Sequence, residues 1–340
     1  MKPRTRFTRA TILAVAAMLS ATACAERVGG EGDNDGERKY PAKAMEFVTA
    51  GDPGGGLDIF AREIKKSLEQ EDLLDVQLDI TNQGGGGGNS AMAIGRQRKG
   101  SDTTLIGNSN RVYLNPLMGT TDLTMGKDFV PIAQLMTEYV VLAVRADSKY
   151  KTAKQLTDAL AENPRSVSLG VGTVPSDDQL HLLRLAEEIG ATPQELNIVA
   201  FSAGGDLMTQ LLGGQVDAVS TGLSEALPQH EAGDVRLLAI SAPERVEGPA
   251  GDVPTWTEQG VDLVVDHWRG VFGPADMPAE AVAYWEKTFA EMVETEAWAE
   301  VIERNQWATL YRDSAEFEQV LDEESQIAKE LLKQVGLVKE

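Results

Sequence analysis

Three glycine-rich turns, each following a β-like run and each opening a helical one, constrain this chain more than any other feature. Gly51-Asp52-Pro53-Gly54-Gly55-Gly56-Leu57-Asp58 follows the strand-like Met45 to Val48 and precedes Leu57, Phe60, Ala61, Ile64 and Leu68 at helical spacing. Gln83-Gly84-Gly85-Gly86-Gly87-Gly88-Asn89 follows the period-two run Val76, Leu78, Ile80, and Gly170-Val171-Gly172-Thr173 with Pro175-Ser176-Asp177-Asp178 repeats the arrangement mid-chain. Further strands are expected at 104–106, 139–144, 167–169, 197–201, 216–220 and 235–240, and helices at 152–162, 178–189, 205–212 and 279–292. Such alternation predicts an α/β architecture with mainly parallel sheets and flanking helices.

Turns of this kind have one shared physical capacity. Glycine admits positive φ and lets a ligand approach the backbone without a Cβ in the way. The first turn of a helix carries spare N–H donors and the positive end of the macrodipole. Ligands of open α/β sheets settle outside the carboxyl ends of the strands. The three turns are therefore expected to converge on an anion site that needs no buried cation. The competing reading, a flexible connector with Ser90 or Asn89, Thr173 or Ser176, and Asp58 as plain helix caps, stays open for each turn alone.

The N-terminus predicts export. Lys2, Arg4, Arg6 and Arg9 precede an apolar run from Ala10 to Ala23 that ends at Cys24, the only cysteine in the chain. That run is too short to span a bilayer as a mature helix, and a lone cysteine forms no internal disulfide. Two readings of Cys24 stand: a bacterial lipobox, with Ala21 where leucine is usual, or an ordinary signal peptide. Residues 25–42 are polar and glycine-rich, the composition of a tether. The net charge of −22 excludes nucleic acid and anionic membrane surfaces as partners.

Catalytic chemistry finds little to work with. The histidines are His181, His230 and His267, and no H-E-x-x-H, C-x-x-C or G-x-S-x-G motif occurs. No metal, cofactor or catalytic residue is expected, and His181 is read as a surface or interhelix residue. No glycine turn ends in the Gly-Lys-Ser/Thr of a P-loop. The C-terminal stripe from Phe317 to Val335 predicts a packing helix capped by Asp313.

Several segments together resemble the tripartite tricarboxylate transporter substrate-binding family, also called Bug or TctC-like. They are residues 52–62, the glycines at 84–88, Asp128-Phe129-Val130-Pro131-Ile132-Ala133, Leu212-Gly213-Gly214-Gln215-Val216-Asp217-Ala218, Arg236 to Ser241, Val253-Pro254-Thr255 with Glu258-Gln259-Gly260, and Trp268-Arg269-Gly270. The resemblance runs from Met45 to Leu337. It implies a two-lobed periplasmic-binding-protein fold of the Venus-flytrap type, crossing between lobes near 141–146 and 239–243. The domains would be a signal peptide at 1–23, a lipidated tether at 24–42, lobe 1 at 43–141 plus 243–340, and lobe 2 at 142–242.

The resemblance further implies a non-catalytic, monomeric lipoprotein that captures a small di- or tricarboxylate and passes it to membrane permease subunits. It would be extracytoplasmic and held to the cell membrane through Cys24. Ligand contacts carry over to Gly54, Gly55, Gly56, Gly86, Gly87, Asn108 and Ser109 of the first lobe. In the second they carry over to Gly172, Thr173, Ser176, Asp178, Gly204 and Gly205, with Asp58 completing the set. The chain departs from the family at Thr173, at Pro175-Ser176 and at Gln179, where relatives often have serine, a glycine pair and histidine, which leaves ligand identity open. A ligand sensor for a receptor kinase on the same fold, or a phosphate-ligand enzyme, are the alternatives.

Overall fold

The computed structural model describes residues 40–172, 174–201 and 204–338, so the expected leader, Cys24, the expected tether up to residue 39 and Thr173 lie outside the described residues. Tyr40, which composition assigns to the tether, is held by the folded body: its hydroxyl donates to the Asp102 carbonyl at 2.6 Å and accepts from Trp285 Nε1 at 2.9 Å.

The first half of the chain alternates as expected. It runs β1 (Met45–Thr49), α1 (Gly56–Gln70), β2 (Leu78–Asn82), α2 (Asn89–Gln97), β3 (Thr104–Asn108) and α3 (Arg111–Leu117). A 17-residue strand follows, β4 (Phe129–Arg145). Then come α4 (Ala153–Glu162), β5 (Ser168–Val171), α5 (Asp177–Glu188), β6 (Asn197–Ala200), α6 (Gly204–Leu212), β7 (Ala218–Gly222), α7 (Leu223–Glu231) and β8 (Val235–Ile240). The chain finishes with β9 (Asp266–Pro274), α8 (Ala279–Val293), α9 (Glu296–Asn305), β10 (Ala308–Arg312) and α10 (Ser314–Gln334).

The strands form one mixed sheet in the order β2-β1-β3-β9-β4-β7-β5-β6, with β8 and β10 also paired to β4. Pairing is parallel among β1, β2 and β3 and among β5, β6 and β7, where helices supply the crossovers. It is antiparallel wherever β4 takes part. The first part of β4 pairs with β9 as far as Tyr139↔Asp266, and from Val140 onward it pairs with β7 and β8.

Period-two alternation divides the core into layers. Met45 and Phe47 of β1 face a cluster with Phe60, Ile64, Trp285, Phe289 and Trp298, whereas Val48 faces Met92, Trp268, Phe272, Phe317 and Leu321. Beyond Tyr139, Val140, Leu142 and Val144 pack with Leu156, Leu182 and Trp256. Val141 and Ala143 face Leu207, Val219 and Leu227 on the other side. Helices thus cover both faces of both halves, the arrangement that parallel strands require.

The N-cap of α10 is the expected one, since Asp313 accepts from the Glu316 amide at 2.9 Å. Phe317, Leu321, Ala328, Leu331 and Leu332 are its buried stripe, while Ile327 is 47% exposed and faces outward. Among the described residues no helix is long and apolar enough to cross a membrane.

Candidate functional site

The first two glycine turns pack against each other. A methyl on Gly84 would fall 2.3 Å from Asp52 Oδ1 and 2.8 Å from the Asp52 amide nitrogen, so only glycine permits this approach. Gly86, Gly87 and Gly88 are consecutive left-handed residues, with φ of 65°, 67° and 91°. The amides of Gly88, Asn89 and Ser90 turn back onto the carbonyls of Gly84, Gly86 and Gly85. Those of Gly85, Gly86 and Gly87 make no hydrogen bond among the described residues. This is a nest of bare donors at the start of α2.

The first turn is more internally occupied. Gly54 (φ 81°) donates to Asp58 Oδ2 at 2.8 Å and Gly55 to the Asp52 carbonyl at 3.0 Å, while Gly56 opens α1. Asp58 is buried and also accepts from Arg62 Nε at 2.9 Å and Asn82 Nδ2 at 2.9 Å. Burial works to raise its pKa, and the bonds from Arg62, Gly54 and Asn82 outweigh it, holding the carboxyl below its ordinary value. Asp58 therefore acts here as the strut that shapes the turn.

The third turn lines a cavity of about 200 Å³ between the two halves of the sheet. From the first half come Ser109, Asn110 and Arg111 at the carboxyl end of β3, with His267 of β9; from the second come Gly172, Pro175 to Asp178 and Glu225. Of the residues expected in a site, Ser109, Gly172, Ser176 and Asp178 meet here. Asn108 is buried beside them, its Oδ1 accepting from the Ser109 amide at 2.9 Å and its Nδ2 without a partner among the described residues. Gly54, Gly55, Gly86 and Gly87 lie outside this cavity's lining, though Arg111 joins it to the second turn: Nη1 is 3.5 Å from the Gly87 carbonyl. Gly204 and Gly205 open α6.

Caps position the third turn. Ser176 Oγ accepts from the Gln179 amide at 3.2 Å as N-cap of α5, and Asp178 Oδ2 accepts from the Gly172 amide at 3.4 Å. Asp177 reaches across the cavity to hydrogen-bond Asn110 Nδ2 and lies 3.6 Å from His267 Nε2.

The cavity is acidic, a feature the glycine pattern gave no sign of. Burial, reinforced by Glu324 and Asp178, raises Asp177 well above the carboxylate range. Burial and Glu225 push Asp178 to about 7, and burial raises Glu225 as well. Burial and the nearby Arg269 lower His267 to about 4.

These shifts fix the sign of the pH dependence. An acid whose pKa rises on folding contributes its full share below the unfolded value and loses it as pH climbs through the folded value. A histidine lowered on folding contributes above about 6.5 and loses its share on acidification. Stability without ligand should therefore rise as pH falls from 8.5 to 6.5, then level off as His181 and His267 begin to oppose it. Melting temperatures across this range check the claim, and Asp178→Asn should flatten the slope. A melting temperature that falls from pH 8.5 to 6.5 would contradict it.

Two cations correct the expectation that amides act alone. Arg111 lines the cavity. Arg269 is 8% exposed, with Nη2 3.5 Å from Glu138 Oε2 and Cζ 4.9 Å from the centre of the Trp307 ring. Glu138 lies opposite His267 in the β4/β9 ladder, and its Oε1 accepts from the amide and hydroxyl of Ser224 on α7.

Of the two positions expected for His181, the surface one is excluded, because the side chain is fully buried between α5 and its neighbours. Nδ1 lies 2.8 Å from Ser220 Oγ and Nε2 accepts from Trp256 Nε1 at 2.9 Å, which fixes a neutral ring whose pKa burial lowers to about 3. It ties α5 to β7 and to the segment after β8. Among the described residues no group of three His, Cys, Asp or Glu side chains is placed to hold a metal ion.

Residues 60–337 match the family described as Tripartite tricarboxylate transporter family receptor, TctC. The chain belongs to this family. The resemblance read from residues 45–337 is confirmed, and the family and fold are those of substrate-binding proteins. Protein BugT of Bordetella pertussis is 25% identical to this TctC receptor over 266 residues, covering 77% of this chain and 79% of BugT.

Solved structures agree on the two-lobed periplasmic-binding-protein fold. A TctC solute-binding protein from Polaromonas superposes with a TM-score of 0.74 at 24% identity, over 87% of this chain and 99% of its own. MatC from Rhodopseudomonas palustris, solved with bound malate, superposes with a TM-score of 0.69 at 23% identity, over 86% of this chain and 100% of its own.

Proposed function

We propose that this TctC receptor captures a small organic acid, a di- or tricarboxylate or a related carboxylate, and delivers it to the permease subunits of a tripartite tricarboxylate-type transporter. The observation that carries the reading is the cavity between β3–α3 and β5–α5, lined from both halves and adjoined by bare amides and Arg111. Helix starts and a guanidinium are the groups that hold a carboxylate. The malate in MatC is consistent with a ligand of this class.

The acids around the cavity fit such a ligand when protonated, since a neutral carboxyl donates a hydrogen bond to a carboxylate. Affinity should accordingly strengthen from pH 8 to pH 6. Ligand contacts are assigned to the expected loop residues other than Asp58, the strut of the first turn, with Asn110, Arg111 and Glu225 added. The lobes are assigned to residues 40–139 with 266–338 and to 140–265. The return crossing moves from 239–243 to 265/266 because Ala250, Val253, Trp256 and Leu263 pack on the second-half strands. Upstream, Cys24 is the proposed lipid attachment.

Calorimetry with di- and tricarboxylates, acidic amino acids and aromatic acids tests the reading. At least one should bind in the micromolar range, and Arg111→Met should weaken it by about tenfold or more, the value of a charge-assisted hydrogen bond. Absence of binding by every acid at millimolar concentration would overturn the proposal. Copurification of permease subunits with the full chain tests the delivery step.

A further inference from the structure

A groove of about 900 Å³ is lined by the start of α1 and the end of α9 from one half of the molecule and by α7 from the other. Its lining includes Gly56, Ile59, Ser224, Arg269, Arg304 and Trp307. Gly56 lies directly on the Arg269 guanidinium, since a Cβ there would fall 2.7 Å from Nη2 and 3.1 Å from Cζ. Arg269 is thus pressed against the first residue of a 15-residue helix whose N-cap, Gly55, offers no side-chain acceptor.

The charge on this arginine is incompletely met. Its one ion-pair contact among the described residues is Glu138 at 3.5 Å, and the other Glu138 oxygen is taken by Ser224. Nη1 is buried and has no hydrogen-bond partner among the described residues. A guanidinium carries five donors in a rigid fork that matches a carboxylate edge-on, and an uncompensated buried charge is expensive. Burial lowers the Arg269 pKa from its ordinary value, yet guanidinium stays protonated at any physiological pH. Trp307 flanks the ring plane and shields it from water. The open valence and the uncapped helix start therefore ask for the same thing, an anion.

Other parts of the groove repel one. Glu231, Glu300 and Glu303 also line it, and Arg304 is already paired with Glu63 at 2.7 Å. An anion in the groove is confined to the corner formed by Arg269 and Gly56.

We propose that Arg269 adds a guanidinium to the ligand contacts already assigned at the start of α1, and that it sets specificity for acids with an anionic group at that corner. This rests on the solute-binding reading above. Glu138 competes with the ligand for Arg269, which keeps the guanidinium aimed while the subsite is empty.

The test titrates malate, adipate and inorganic sulfate into the full chain and into Arg269→Gln and Glu138→Gln, by calorimetry and thermal shift. The expected result is at least tenfold weaker binding in Arg269→Gln, with affinity held or improved in Glu138→Gln, where the competitor is gone. Equal losses in the two variants would mark Arg269 as a structural partner of Glu138 and overturn the subsite. Unchanged binding in Arg269→Gln overturns the subsite alone and leaves the receptor reading standing. No binding of any probe by the unmodified chain overturns both. Should Arg269→Gln fail to fold, Arg269→Lys keeps the charge and loses the fork, and unchanged affinity there overturns the proposal.

Discussion

Trp285→Ala is expected to destabilise the protein by about 3–5 kcal/mol, the range for deleting a large aromatic from a packed core. The side chain is fully buried on α8, stacked on Phe289 with ring centroids 5.2 Å apart and edge-on to Tyr284 at 5.4 Å. Its indole nitrogen also holds the Tyr40 hydroxyl, which in turn fixes the start of the folded body to the Asp102 carbonyl. The loss therefore combines a cavity with a released polar contact. Urea unfolding measures it, and Trp285→Phe separates the parts by keeping a ring and deleting only the donor. A loss below about 1 kcal/mol for Trp285→Ala would show that the layer under β1 closes without this residue.

Gly86→Val is expected to weaken binding of the captured acid by about 100-fold while leaving the melting temperature within a few degrees. Valine cannot hold φ at 65° without strain, and two further left-handed glycines follow it, so the turn must rebuild. Rebuilding re-aims the free amides of Gly85 to Gly87, each worth about 1.5–3 kcal/mol against a charged group. The core is spared because Gly86 is exposed and its neighbours within reach belong to Asn89. Calorimetry on the variant checks the affinity, and an unchanged value would remove the second turn from ligand binding.

The parts of this fold legible from sequence were those with a periodic signature. Phe60, Ala61, Ile64 and Leu68 mark α1, and Asp313 with Phe317 and Leu321 marks α10. The strand β9 was not legible, because Asp266 to Pro274 is buried on both faces from Trp268 onward and carries two charges and two glycines where alternation would be needed. The first part of β4 is hidden for the same reason, being buried at nearly every position.

The same division runs through the site. Ser109, Gly172, Ser176 and Asp178 were named through the family resemblance, and all four sit where the rule that ligands gather at the carboxyl ends of strands would look. Applied to β7 as well, where Gly222 is the N-cap of α7, that rule would have named Glu225. Arg269 and His267 carry no such mark. They stand two apart on one strand, and only the pairing of β9 with β3 and β4 brings them between the halves.

The continuous β4 strand has a mechanical consequence. Its ladder changes partners between Tyr139 and Val140, yet the strand is uninterrupted at that point. Such a joint resists stretching and sideways shear, and yields mainly by twist and by bending at two or three peptide units. Opening would therefore proceed along a narrow arc at little enthalpic expense, breaking few backbone bonds. The hydrogen bond of Asp177 with Asn110, buried and spanning the two halves, is then among the few that such a motion would break.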